Sequence, residues 1–212
     1  MITWQIEQSP VDYHAALTAM EQHVAAMADG TAPEKIWLLE HPPLYTAGTS
    51  ADPVELINPR FPVYEAGRGG RYTYHGPGQR VAYVMLDLRT RGNDLRAYVK
   101  QLEMWAQDAL MQFGVKAETR EGRVGLWVKS GLREEKIAAI GVRVRKWITF
   151  HGISINRDPD LSHFAGIVPC GLSDYGVTSL KALGINASQK QLDDALKTAW
   201  RDRFSAELSK TA

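Results

Sequence analysis

Lys136-Ile137-Ala138-Ala139-Ile140-Gly141-Val142-Arg143-Val144 and Trp147-Ile148-Thr149-Phe150-His151-Gly152-Ile153-Ser154-Ile155-Asn156 follow one another in the chain, parted only by Arg145 and Lys146. Both are strand-length runs rich in β-branched residues. Strands this close in sequence point to antiparallel pairing rather than to strict alternation of strand and helix.

Moving outward, Val115 to Thr119 and Val124 to Val128 read as further short strands. Lys35-Ile36-Trp37-Leu38-Leu39-Glu40 reads as a buried strand that leaves the sheet at His41-Pro42-Pro43. Strands at Pro62 to Glu65 and Arg80 to Leu88 flank a glycine-rich segment, Ala66 to Gln79, which is too long for a tight hairpin and reads as a loop. Apolar residues at helical spacing mark a helix from Val11 to Ala28, closed by Gly30. Asp94 caps a second helix running to Phe113, and Ser188 opens a last one over Gln191 to Leu208. From Pro159 to Gly171 the chain reads as irregular. The expected fold is therefore a mixed α and β architecture, with a largely antiparallel sheet and flanking helices in one domain spanning 1–212.

The composition agrees with an ordinary globular protein. Of the 212 residues, 44% are hydrophobic and 23% charged, enough to bury a sizeable core without crosslinks. A net charge of +1 makes no bulk case for nucleic acid or a membrane surface. No apolar run approaches spanning length, and Met1-Ile2-Thr3-Trp4-Gln5-Ile6-Glu7 lacks the pattern of a secretory signal, so a cytoplasmic location is expected.

The single cysteine, Cys170, excludes an internal disulfide and a multi-thiolate metal site. It stands in Gly166-Ile167-Val168-Pro169-Cys170-Gly171, between a residue that fixes φ and one that frees it, which suits an approachable loop. A thiol with a pKa of about 8.5 is mostly protonated near neutrality and needs a base or positive neighbour to act as a nucleophile. Lysine and histidine are the candidates. Lys136 opens an apolar strand; His75 and His151 can each pair with a cysteine or serve a structural role. The histidines show no metal-ligand spacing, and no metal is expected.

The segment Arg68-Gly69-Gly70-Arg71-Tyr72-Thr73-Tyr74-His75-Gly76-Pro77-Gly78-Gln79 combines glycines for close backbone approach with aromatic and polar groups, as a substrate-binding segment requires. It matches neither a dinucleotide fingerprint nor a P-loop.

Arg68-Gly69-Gly70, then Thr73 to Gln79, then Lys136 to Val142, then Phe150-His151-Gly152 and finally Pro169-Cys170-Gly171 together resemble the octanoyltransferases of lipoate biosynthesis, from about His41 to Leu180. The resemblance implies a Cys170/Lys136 dyad and an acyl pocket formed by Arg68 to His75, Ala139-Ile140-Gly141 and Gly152-Ile153-Ser154. It implies a fold shared with the catalytic domains of biotin and lipoate ligases. Two local departures are Tyr72, where the family often has a small β-branched residue, and a longer turn at Ser130-Gly131-Leu132-Arg133.

The same resemblance implies the partners. Octanoyl-phosphopantetheine arrives on acyl carrier protein as substrate, with no further cofactor. The acceptors are lipoyl domains of 2-oxoacid dehydrogenase E2 subunits and the glycine cleavage H protein, and a monomer is expected. Both carriers are acidic, so Arg68, Arg71, Arg143 and Arg145 are candidates for docking them. Two other readings compete: an ATP-dependent lipoate or biotin ligase needing no cysteine, and a non-catalytic module that only binds the carrier domains.

Overall fold

The computed structural model describes residues 2–131, 133–168 and 175–208. Its main sheet has eight strands: β1 (Thr3–Ile6), β2 (Lys35–Leu39), β6 (Gln79–Met85), β7 (Glu118–Arg120), β8 (Arg123–Ser130), β9 (Arg133–Arg145), β10 (Ile148–Asn156) and β11 (Gly176–Val177). The order is β1-β2-β6-β10-β9-β8-β7, with β11 also paired to β9. Within this sheet, among the described residues, only the β1–β2 and β9–β11 pairs are parallel. The expected mixed architecture and predominantly antiparallel pairing are thus borne out. At its centre β9 and β10 pair from Ile148 opposite Arg145 to Ile155 opposite Ala138. Lys146 and Trp147 make the reversal at φ 50° and 63°, the left-handed pair that matches strand twist.

Both faces of the sheet are covered, which explains why β2 is a continuous apolar run. Ile36 and Leu38 join the core beneath α2 (Leu95–Met111) and α3 (Gln189–Leu208), with Leu102, Trp105, Leu192 and Leu196. Trp37 and Leu39 turn the other way, against Ala16, Met20 and Val24 of α1 (Tyr13–Ala28). The caps are chemically explicit. Asp94 accepts from the amides of Arg96 and Ala97, and Ser188 and Gln191 exchange side-chain and backbone bonds at the start of α3. Across the sheet, buried Arg80 makes a two-pronged ion pair with Asp193 of α3 at 2.7 and 2.9 Å.

A second sheet has the order β4-β3-β5, formed by β3 (Leu44–Ala47), β4 (Val63–Glu65) and β5 (Thr73–His75). Here the structure departs from the sequence expectation: β3 and β5 fall in stretches read as loops. Each is too short to display a readable period, and pairing partners distant in sequence define them, with Tyr45 opposite Tyr74 and Thr46 opposite Thr73. For the same reason the segment after Pro159, expected to be irregular, holds a 3-10 turn at Leu161–Gly166.

Candidate active site

Lys136 owes its position to an irregularity in the sheet. Leu126 of β8 pairs with Ala138, yet the next residue, Trp127, pairs with Lys136. Ile137 is therefore an extra residue, a β-bulge. Side chains alternate along a regular strand, and the bulge shifts that alternation by one. Ile137 and Ala138 both enter the core beneath α2, while Lys136 emerges on the opposite face, in the same cavity wall as Ala139 and Gly141. Its side chain is buried; Nζ donates to the Val124 carbonyl at 3.0 Å and lies 4.8 Å from the centre of the Trp127 ring. Arg123 stacks on that same indole and on Tyr175, and donates to Glu134 at 2.6 Å.

The cavity encloses about 240 Å³. The structure brings Arg68, Gly70, Arg71, Thr73, His75, Lys136, Ala139, Ile140, Gly141, Gly152, Ile153 and Ser154 together in its wall. Arg68 folds its loop around its own guanidinium, donating to the carbonyls of Gly69, Arg71 and Thr46 and to the Thr46 hydroxyl. The loop then docks on β9, where Gly69 donates to the Val142 carbonyl at 3.0 Å. A Cβ on Gly141 would fall 2.7 Å from Arg68 Cδ, so the docking requires glycine there.

Gly69, Tyr72 and Tyr74 do not line the cavity. Thr73 and His75 face it, and alternation along β5 sends Tyr74 the other way, into a cluster with Tyr45, Tyr72, Phe164 and Ile167. Cys170 lies outside the described residues, within 169–174. Of the candidate docking arginines, Arg68 is buried, Arg71 is paired with Glu55, Arg143 stands 3.7 Å from Glu21 and Arg145 is exposed.

Other cavity residues escaped the sequence reading: Tyr13, Thr46, Ser50, Val81, Tyr83, Gly122, Arg123 and Val124. Tyr13 begins a helix and Tyr83 lies mid-strand, so neither carries a local signal; only the packing of α1 and the small sheet over β6 and β10 brings them in. Burial governs the histidines. It pushes His75 and His151 down to about 3 and His41 to about 4, so all three are neutral near pH 7. A buried polar chain runs from His75 through Gln79 and Asn156 to the Thr178 carbonyl, and the Thr178 amide donates to the Lys136 carbonyl. Among the described residues, no group of three or more His, Cys, Asp or Glu could hold a metal ion.

The arrangement sets a small cavity, with apolar and polar groups in its wall, beside a buried amine. Comparisons with known proteins give the family and the fold. The family model for the lipoyl protein ligase A/B catalytic domain matches residues 12–201. The octanoyltransferase of Paramagnetospirillum magneticum is 62% identical over 208 residues, covering 97% of this chain and 98% of that protein. That of Parvibaculum lavamentivorans is 61% identical over 206 residues, 95% of this chain and 92% of the relative. Among solved structures, a putative lipoate protein ligase from T. acidophilum with bound lipoic acid superposes with a TM-score of 0.72 at 14% identity, covering 95% and 85% of the two chains. A biotin protein ligase from Aquifex aeolicus gives 0.51 at 10% identity, covering 97% and 69%. At such identities the likeness is one of fold.

Proposed function

The chain belongs to the octanoyltransferases of the lipoyl protein ligase A/B catalytic-domain family, and from that premise we propose that it moves an octanoyl group from acyl carrier protein to a lysine of a lipoyl domain through a Cys170 thioester. The observation that carries the reading is the amine of Lys136, buried in the wall of a cavity of about 240 Å³ and turned there by a bulge. A buried amine in a cavity wall is suited to proton transfer during attack on an acyl carbonyl, which supports this role for Lys136.

In the first half-reaction Lys136 takes the thiol proton of Cys170. The sulfur attacks the carbonyl of octanoyl-phosphopantetheine, the bond to the carrier sulfur breaks, and the carrier leaves as a thiol with the proton returned by Lys136. In the second, the acceptor lysine attacks the enzyme thioester. Lys136 takes the proton its nitrogen sheds, the amide forms, and the proton passes to the departing Cys170 sulfur. Thioester exchange is nearly isoenergetic and amide formation from a thioester is downhill, so the sequence needs no nucleotide and no further cofactor. The acceptors in this reading are lipoyl domains of 2-oxoacid dehydrogenase E2 subunits and the glycine cleavage H protein. Arg145 is exposed and Arg143 partly so, and in this reading both remain candidates to meet an acidic carrier.

Intact-protein mass after brief mixing with octanoyl-carrier protein, without acceptor, tests the reading on wild type, Cys170→Ser and Lys136→Ala. A thiol-labile octanoyl adduct is expected on wild type, absent from Cys170→Ser and slow to form on Lys136→Ala. An unmodified wild type that attaches free octanoate only with ATP would replace this mechanism with that of a ligase; inactivity under both conditions would leave a binding module.

A further inference from the structure

Three arginines stand in the cavity wall, and their donors are committed differently. Arg68 donates to the carbonyls of Gly69, Arg71 and Thr46 and to the Thr46 hydroxyl, and Arg71 is paired with Glu55. Arg123 gives Nη2 to Glu134 at 2.6 Å, while its Nη1 is shielded from solvent and has no partner among the described residues. A buried charged donor left unpaired is costly, and one in a cavity wall points to an acceptor supplied by what the cavity binds.

Arg123 is held from several sides. Its guanidinium carbon lies 4.8 Å from the centre of the Trp127 ring and 4.2 Å from that of Tyr175, and the Trp127 indole donates to the Arg123 carbonyl at 3.1 Å. Arg120 donates to the other oxygen of Glu134 at 2.6 Å, which fixes the carboxylate that grips Arg123. A planar fork held in this way aims its remaining N–H groups in set directions. The flanking residues Gly122 and Val124 are exposed and line the same cavity, so this part of the wall is open to an incoming substrate.

The Trp127 ring ties this arginine to Lys136. The Lys136 amine is also 4.8 Å from the ring centre, so it and the guanidinium carbon are at most about 10 Å apart, a gap that a thioester hydrogen-bonded on both sides bridges. Two more atoms of the wall, Tyr13 Oη and His151 Nε2, lack partners. Their rings pack on His41, Tyr64, Tyr83 and Phe150, whereas Arg123 packs on the ring that Lys136 touches.

We propose that Arg123 Nη1 donates to the carbonyl oxygen of the thioester and stabilises the oxyanion that forms there in both half-reactions. The proposal rests on the acyl-transfer reading above. When a nucleophile adds to the carbonyl carbon, the π pair moves onto oxygen, and it returns as the C–S bond breaks. The Cys170 sulfur adds first and expels the carrier sulfur; the acceptor nitrogen adds second and expels the Cys170 sulfur. The same oxygen takes the charge each time, so one fixed donor serves both steps. The two basic side chains thereby divide the work: Lys136 moves protons, and the guanidinium, which keeps its own, holds the developing charge.

Arg123→Met keeps a long side chain against Trp127 and Tyr175 and removes every donor. Acyl-enzyme formation from octanoyl-carrier protein, and its discharge to a lipoyl domain, are each timed by rapid-quench mass analysis at saturating partner. Both rates are expected to fall about 10²-fold or more, the effect of deleting one oxyanion donor. A misfolded fraction lowers the amplitude of acyl-enzyme formation and leaves its rate untouched. Alkylation of Cys170, the only cysteine in the chain, by iodoacetamide passes through no oxyanion. Its rate at the alkaline plateau, where the thiol is fully ionised, is expected to stay within about twofold of wild type. A parallel loss of alkylation would make Arg123 a positioning residue, and a loss confined to the carrier half-reaction would place it on the carrier arm. Either outcome, or acylation and discharge at wild-type rates, overturns the proposal while leaving acyl transfer intact. A wild type that takes no acyl group from carrier protein would instead remove the reading beneath it.

Discussion

Gly125 and Lys136 meet across the β8–β9 ladder, where the Ala138 carbonyl leaves no room for a side chain on Gly125. A Cβ on Gly125 would stand 3.3 Å from Lys136 Cε, 3.5 Å from its Nζ and 2.5 Å from the Ala138 carbonyl oxygen. Gly125 also sits at φ 114°, a conformation that L-residues rarely adopt. The glycine lets the lysine lie along β8 and reach the Val124 carbonyl.

Gly125→Ala is expected to clash with the Ala138 carbonyl, shift β8 and with it the Val124 carbonyl away from the amine, and slow acyl-enzyme formation by about 10²-fold, the scale of an ångström-sized misplacement in an active site. Rapid-quench mass analysis reads the rate directly. Formation at the wild-type rate would show that the contact has no part in aiming Lys136.

Stability is expected to fall with acidity through the buried histidines. Burial lowers His41 to about 4 and His75 and His151 to about 3 in the folded chain, against about 6.5 when unfolded. Below pH 6.5 the unfolded chain takes up protons that the folded chain refuses, so stability present at neutrality is lost as pH drops. Between pH 6.5 and 5 each histidine contributes a loss of about 2 kcal/mol. Urea midpoints measured from pH 7.5 to 5 should decline steeply; a flat profile would mean that these imidazoles are not held neutral.

Asp193→Ala leaves Arg80 charged and unpaired in the core. Arg80 is 1% exposed, and the pair is two-pronged. Removing one member of such a pair costs about 3–5 kcal/mol. Urea unfolding should show that loss, and α3 should loosen from β6 first in hydrogen exchange. A midpoint within error of wild type would contradict the buried geometry.

Gln79→Leu removes the amide that joins His75, the Tyr74 carbonyl and Asn156. Each buried partner left unsatisfied costs about 1–3 kcal/mol. The tautomer of His75 is also released, since nothing then holds the proton on Nδ1. Imidazole nitrogen shifts are expected to report an Nδ1–H form in wild type and a mixture in the variant. An Nε2–H form in wild type would invert the assignment.

The legible parts of this protein were those written over short spans. Helical spacing and caps marked α1, α2 and α3 to within a few residues, because period and capping chemistry are local. The proximity of two apolar runs announced the β9–β10 hairpin, and the Lys136 stretch and the Arg68 to His75 segment stood out by residue type. The side of the sheet on which Lys136 emerges was not legible, since it depends on one extra residue, Ile137, opposing the gap between Leu126 and Trp127. Nor was the split within Arg68 to His75, where the pairing of Thr73 with Thr46 makes a strand and turns Tyr74 away from the cavity. The Arg80–Asp193 pair and the cavity wall shared by Tyr13, Tyr83 and His151 join residues far apart in the chain. Ladders, bulges and cavities are relations between distant segments, and their chemistry exists only once folding has brought those segments together.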